Sequence, residues 1–196
     1  MQPLIDHARA HGQRPERFAQ LAQGQSPQVL FITCSDSRVV PALITGARPG
    51  ELFELRTAGN IVPPYVPGRP TAEAATVEYA VDVLGVSEIV VCGHSHCGAV
   101  GALVRGDDLT AVPAVRDWLA QAEPPSEPPS GATDDDPAVA DAVQNHVRAQ
   151  MLRLRAYPCV ERALTAGQLR LHGWYYEVHT GAVQAHRADT GTFEAL

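Results

Sequence analysis

Two short segments hold the residues whose types and spacing could do chemistry together: Cys34-Ser35-Asp36-Ser37-Arg38 and Gly93-His94-Ser95-His96-Cys97-Gly98. Two thiolates and one imidazole, from Cys34, Cys97 and His94, make a three-ligand set that suits zinc and leaves one tetrahedral position open. Water in that position has its pKa lowered toward ~7, so the site would present zinc-bound hydroxide, a nucleophile at neutral pH. His94 and Cys97 stand three apart across a tight turn and can reach one ion. His96 competes as a ligand, but its place beside Cys97 should turn it elsewhere. Asp36, two residues past a ligand cysteine, could fill the open position or accept a hydrogen bond from the hydroxide. A bidentate fork from Arg38 would keep it ionised and turned from the metal.

Blander readings stand beside this one. A single cysteine is more often a small buried hydrophobe than a ligand, and Asp36 with Arg38 can be an ordinary loop ion pair. A structural zinc would usually have a fourth cysteine or histidine nearby. A redox dithiol is excluded, because the spacing is His94-x-x-Cys97 and not Cys-x-x-Cys.

The elements that must position these residues alternate strand and helix, which predicts an α/β fold with at least some parallel strands. Val29 to Thr33 reads as a buried strand that runs straight into Cys34. Glu51 to Arg56 reads as a second strand, and residues 71–84 as a helix with Ala74, Val77, Val81 and Leu84 on one side. Ile89 to Cys92 is the third strand, broken by Gly93 just before the second ligand segment. Both ligand segments thus follow the carboxyl ends of strands, where open α/β sheets form their ligand crevice. If those strands are neighbours, Cys34, His94 and Cys97 converge. Asp136-Pro137 is a helix start, and Val139, Val143, Val147, Met151 and Leu154 form its core stripe up to Tyr157-Pro158. Leu169 to Val178 and Ala182 to His186 read as a hairpin closed by Thr180-Gly181. Glu123 to Asp136 carries four prolines and five acids in fourteen residues, a composition that predicts an exposed loop over about 122–136.

The 196 residues, 45% of them apolar, suffice for one well-packed domain over 1–196. No apolar run approaches the roughly 20 residues of a membrane helix, and residues 1–24 lack the apolar stretch of a secretory signal. A net charge of −7 without a basic block argues against nucleic acid or an anionic membrane as partner. All 15 basic residues are arginine, so Schiff-base and lysine general-base chemistry are excluded. Four cysteines without an export signal point to a reducing, cytoplasmic setting.

With those residues in place, the chain resembles the beta-class carbonic anhydrases. Cys34 to Arg38 and Gly93 to Gly98 look like that family's two zinc-binding motifs. Arg56-Thr57-Ala58-Gly59-Asn60 resembles its arginine–alanine–glycine–asparagine loop, Glu78-Tyr79-Ala80-Val81 the following helix, and Leu171 to Tyr176 the last sheet strand. Within the family, the plant-type subgroup and the bacterial enzyme associated with cyanate metabolism are the nearest in feel. The resemblance implies one zinc per chain on Cys34, His94 and Cys97, with Asp36 and Arg38 as the dyad that orients the hydroxide. It implies that Gln25 and the Gly98 amide bind bicarbonate oxygens, and that Phe53, Ala58 and Tyr79 line a small apolar pocket for carbon dioxide. It further implies a mostly parallel central sheet flanked by helices, with an N-terminal helical arm (1–24) packing on a neighbouring subunit. The assembly would be a dimer or tetramer with the pocket shared between chains.

The expected reaction is reversible hydration of carbon dioxide to bicarbonate and a proton. Two alternatives remain at this point: a carbonyl sulfide or carbon disulfide hydrolase on the same scaffold, and a non-catalytic zinc or bicarbonate-sensing module. The plant enzymes' proposed proton-shuttle histidine is Val83 here, which leaves buffer or another histidine, such as His96, to carry the proton. Arg56 and Asn60 are expected to brace the loop, and Cys92 and Cys159 to be inert buried thiols.

Overall fold

A computed structural model describes residues 1–13, 18–122 and 137–196. The expected acidic, proline-rich loop lies outside the described residues except for Ala122. Six strands form one sheet: β1 (Val29–Cys34), β2 (Leu52–Thr57), β3 (Glu88–His94), β4 (Arg170–Tyr176), β5 (Val183–His186) and β6 (Phe193–Ala195). Their order is β2-β1-β3-β4-β5-β6. The first four are parallel neighbours, and β5 and β6 add an antiparallel edge. The chain leaves β1 toward β2 on one side and returns to β3 on the other. The sheet order therefore reverses between β1 and β3, and the crevice at their carboxyl ends is a topological switch point.

Seven α-helices are described: α1 (Gln2–Gly12), α2 (Pro41–Thr45), α3 (Ala72–Glu78), α4 (Gly98–Arg105), α5 (Pro113–Leu119), α6 (Pro137–Arg155) and α7 (Pro158–Thr165). The expected helix over 71–84 is α-helical only to Glu78. It then widens into a π turn over Tyr79–Val83, with the Leu84 N–H donating to the Tyr79 carbonyl five residues back. Thr71 caps its start by accepting from the Ala74 amide.

Leu30, Ile32, Ile89 and Val91 point to one sheet face and are buried with Val147, Leu154 and Tyr157. The predicted stripe accounts for this: Val139, Val143, Val147 and Leu154 are all buried along α6. Two glycines let that helix sit directly on the strands. A Cβ at Gly93 would lie 2.7 Å from Val143 Cγ1 and from Val147 Cγ2, and one at Gly173 2.7 Å from Met151 Sδ. On the opposite face Phe31, Val90 and Cys92 pack with Trp174 and Tyr176. Leu171–Tyr176 is the last parallel strand but not the sheet's last strand, because β5 and β6 follow it.

The N-terminal helix is different. None of the residues of α1 is buried, and Leu4 is 71% exposed.

Candidate metal centre

β1 and β3 lie side by side in register, Val29 opposite Glu88, and each delivers a ligand from its last residue. Cys34 ends β1 and His94 ends β3. His96, at φ +57°, puts a non-glycine residue in the left-handed region, a conformation that costs about 1–2 kcal/mol. This reversal begins α4 immediately after Cys97, so the second thiol turns back toward the imidazole. The ligand atoms of Cys34, His94 and Cys97 lie within 4.8 Å of one another, and all three residues are buried.

The histidine tests whether these residues fit a metal. His94 Nδ1 lies 2.8 Å from the Ser95 carbonyl, to which it can only donate. That leaves Nε2 as an unprotonated lone pair, and it is buried with no hydrogen-bond partner. An orphaned acceptor facing two thiols, its tautomer set by a backbone carbonyl, is the arrangement of a metal ligand. Cys34 is the thiol that ionises first. Hydrogen bonding from Cys97 holds it well below the ordinary thiol range, helped by the amides of Asp36 and Gly59, against the opposing effect of burial. The same contact with Cys34, together with burial, pushes Cys97 up.

Asp36 stands beside this group, its Oδ2 3.9 Å from His94 Nε2. It faces Arg38, whose Nε donates to Oδ1 at 3.0 Å and Nη2 to Oδ2 at 2.7 Å. The Arg38 amide adds a third bond to Oδ1. These bonds hold the carboxyl down at about 2. Arg38 Nη2 also donates to the His96 carbonyl, tying the two ligand loops together. Arg56 clamps the first loop by donating to the carbonyls of Cys34, Asp36 and Val39.

The residues read as a substrate pocket fall into two places. Ala58 and Gly98 adjoin the metal group, one following Thr57, the register partner of Cys34, and the other following Cys97. Phe53 pairs with Leu30 at the opposite end of β1. Four residues of strand separate it from the metal level, roughly 13 Å at 3.3 Å per residue. Tyr79 packs on Phe53, ring centroids 5.9 Å apart, and Gln25 is exposed in the segment leading into β1. One chain does not bring these three to Cys34.

His96 is half-buried against the ring of His179, centroids 5.8 Å apart, and not solvent-facing. Cys92 and Cys159 are buried, and burial pushes the Cys92 thiol to about 12. Trp118, His146 and Gln150, which lie in none of the sequence motifs, all bond the backbone of the 58–62 loop. Two polar residues three positions after Val143 and Val147, on the flank of a buried stripe, were the available signal.

A doubly wound α/β sheet with a Cys-His-Cys cluster and a restrained carboxylate at its switch point defines a zinc-binding crevice. A carbonic anhydrase family model matches residues 29–183. The chain is 51% identical over 189 residues to a carbonic anhydrase of Pseudomonas aeruginosa, a match covering 95% of this chain and 86% of that protein. It is 44% identical over 196 residues to carbonic anhydrase 1 of Escherichia coli O157:H7, with the same coverages of 95% and 86%. Among solved structures, that of the beta-carbonic anhydrase CcaA aligns at a TM-score of 0.85 and 37% identity, covering 100% of this chain and 99% of that one. One describing two tetrameric beta-carbonic anhydrases from Sordaria macrospora aligns at 0.77 and 28% identity, covering 94% of each chain. The chain belongs to the beta-carbonic anhydrase family.

Proposed function

We propose that this chain catalyses the reversible hydration of carbon dioxide to bicarbonate and a proton, with zinc held by Cys34, His94 and Cys97. The observation that carries the reading is the pairing of Asp36 with Arg38 beside three convergent ligands, which leaves a fourth metal position open. When bound there, zinc would lower the pKa of water toward ~7 and so supply a nucleophile at neutral pH. Asp36 would accept that nucleophile's hydrogen bond through a carboxylate oxygen, and Arg38 keeps that carboxylate from taking the open position. The Gly98 amide, in the first turn of α4, supplies a donor for a bicarbonate oxygen in this reading. Ala58 forms the near wall of the pocket.

The remaining pocket residues come from a second chain in this reading. Phe53 and Tyr79 pack on each other at the end of the sheet away from the metal, Gln25 lies in the segment that leads into β1, and a neighbouring copy supplies all three across a dimer or tetramer interface. The solvent-exposed α1 supports an arm that packs on that copy, since an isolated helix of fewer than about 12 residues is marginal in water. Four unpaired thiols suit a cytoplasmic setting. No described helix is long and apolar enough to cross a membrane.

Stopped-flow hydration at about pH 8, before and after chelation, tests the reading. Activity that disappears with zinc and returns on reloading is the expected result. A protein holding one zinc per chain that hydrates no carbon dioxide overturns it, and hydrolysis of carbonyl sulfide by that protein would assign the alternative substrate.

A further inference from the structure

The loop after β2 places two successive residues, Gly59 at φ +69° and Asn60 at φ +48°, in the left-handed region. Asn60 has a Cβ, and although asparagine tolerates the left-handed region better than most residues, surrounding contacts are needed to hold two such residues in succession. Three side chains from two distant helices supply those contacts. Trp118 Nε1 on α5 donates to the Ala58 carbonyl at 2.9 Å. His146 Nε2 on α6 lies 2.8 Å from the Gly59 carbonyl. Gln150 Oε1, one turn further along α6, accepts from the Val62 amide at 2.9 Å.

The bonds on α6 determine the histidine's tautomer. The Val62 N–H orients the Gln150 amide, so its Nε2 donates toward His146 Nδ1 at 3.4 Å. Nδ1 is therefore the acceptor, and the ring proton sits on Nε2 and points at Gly59. Burial lowers the His146 pKa and favours this neutral form. The side-chain polar atoms of Trp118, His146 and Gln150 all have partners, although His146 is only 6% exposed and Gln150 fully buried. Such satisfied buried bonds favour one conformation of the loop, whereas the buried Asn60 amide in that loop has no partner among the described residues.

What the loop presents is the Gly59 N–H, 3.3 Å from Cys34 Sγ. That N–H shares its peptide plane with the Ala58 carbonyl, so Trp118 grips one end of the unit whose other end faces the sulfur. We propose that Trp118 and His146 are positioning residues for the metal centre, holding the Gly59 N–H on Cys34 Sγ and thereby setting the charge that this sulfur donates to the ion. The proposal rests on the reading of Cys34, His94 and Cys97 as the zinc site. Outer partners of metal ligands act in this way, and losing one typically weakens metal binding about 10–100-fold.

The test uses the full chain loaded with zinc, and separately with cobalt(II), whose thiolate charge-transfer band reports sulfur donation. Trp118→Phe keeps an aromatic side chain and removes the donor together with the five-membered ring that carries it. His146→Leu removes the second donor, and His146→Gln returns an amide N–H near the position of Nε2. Trp118→Phe and His146→Leu are expected to lose zinc to a chelator about 10–100-fold more readily than the parent, because the loop that orients Cys34 relaxes and that loss outweighs the stronger donation of the freed sulfur. Their cobalt bands should move to lower energy, because an unbonded thiolate donates more strongly. His146→Gln should restore both readouts toward the parent. Parent-like zinc loss and an unmoved band in Trp118→Phe would overturn the proposal, and this variant alone decides it if His146→Leu does not fold. A His146→Gln protein as defective as His146→Leu would also overturn it, by assigning the ring to packing alone. A parent that binds neither ion overturns the metal reading itself.

Discussion

Asp36 has two possible partners, the open side of the metal group and Arg38, and the geometry favours the arginine. Its two side-chain bonds at 3.0 and 2.7 Å are a fork, whereas His94 Nε2 stands 3.9 Å away. Charge-assisted bidentate bonds are about twice as strong as neutral ones, so removing the fork frees the carboxylate to turn toward the ion. Arg38→Leu should keep one zinc per chain and lose about 10–100-fold in kcat/KM, read by stopped-flow hydration beside a metal assay. Loss of zinc from this variant would instead make Arg38 a structural tie between the two ligand loops, a role its bond to the His96 carbonyl would explain. The dyad was legible in the sequence because both members lie within four residues of Cys34, where local spacing determines reach. The His94 tautomer was not, since it depends on where the Ser95 carbonyl points.

At the scale of elements, the contact between α6 and the sheet sets the position of β3 and so of His94. Gly93 is the close-packed point. Gly93→Ala would drive a Cβ to 2.7 Å from two valine methyl carbons, and overpacking of this kind costs about 1–3 kcal/mol. A melting temperature lower by about 2–12 °C is expected for a chain of this size, measured by calorimetry on the zinc-loaded protein. The starts of β3 and β4 are tied by charge. Glu88 bonds to Arg170, and its Oε2 lies 2.7 Å from His172 Nε2. Arg170 first and His172 second hold the Glu88 carboxyl below its ordinary 4.5. A depressed carboxylate stabilises the fold above its unfolded value and loses that contribution as pH falls through its folded one. The parent should therefore melt higher than Glu88→Gln above pH 4.5, with the gap closing on further acidification. A gap unchanged by acid would remove Glu88 ionisation as its cause.

For the whole molecule, the question is whether one chain can hold a complete site. Phe53 and Tyr79 pack on each other at the end of the sheet opposite the metal group. Sharing the pocket between chains predicts complementation. Cys34→Ala spoils the metal end of each site, and a chain carrying Gln25→Ala and Tyr79→Ala spoils the other. Dissociating and reassociating the two variants together should restore hydration that neither shows alone, because each mixed dimer contains one site with both halves intact. Mixtures no more active than the average of the two variants would place Gln25 and Tyr79 outside the site.

The sequence by itself determined what is local or periodic. Ligand types and their places at strand ends follow from residue identity and apolar runs, and the α6 stripe follows from a helix's repeat. The short α2 and α5 and the glycine-rich α4 escaped, since five to eight residues carry too little periodicity to read. Only the tertiary structure decided which distant side chains meet. Trp118 reaches Ala58 across 60 positions and His146 reaches Gly59 across 87, and no spacing rule spans such separations. The direction of a strand had the same effect: it set Cys34 at one end of β1 and Leu30, the partner of Phe53, toward the other. A linear motif names the residues of a site, but the path of the backbone decides which of them share one.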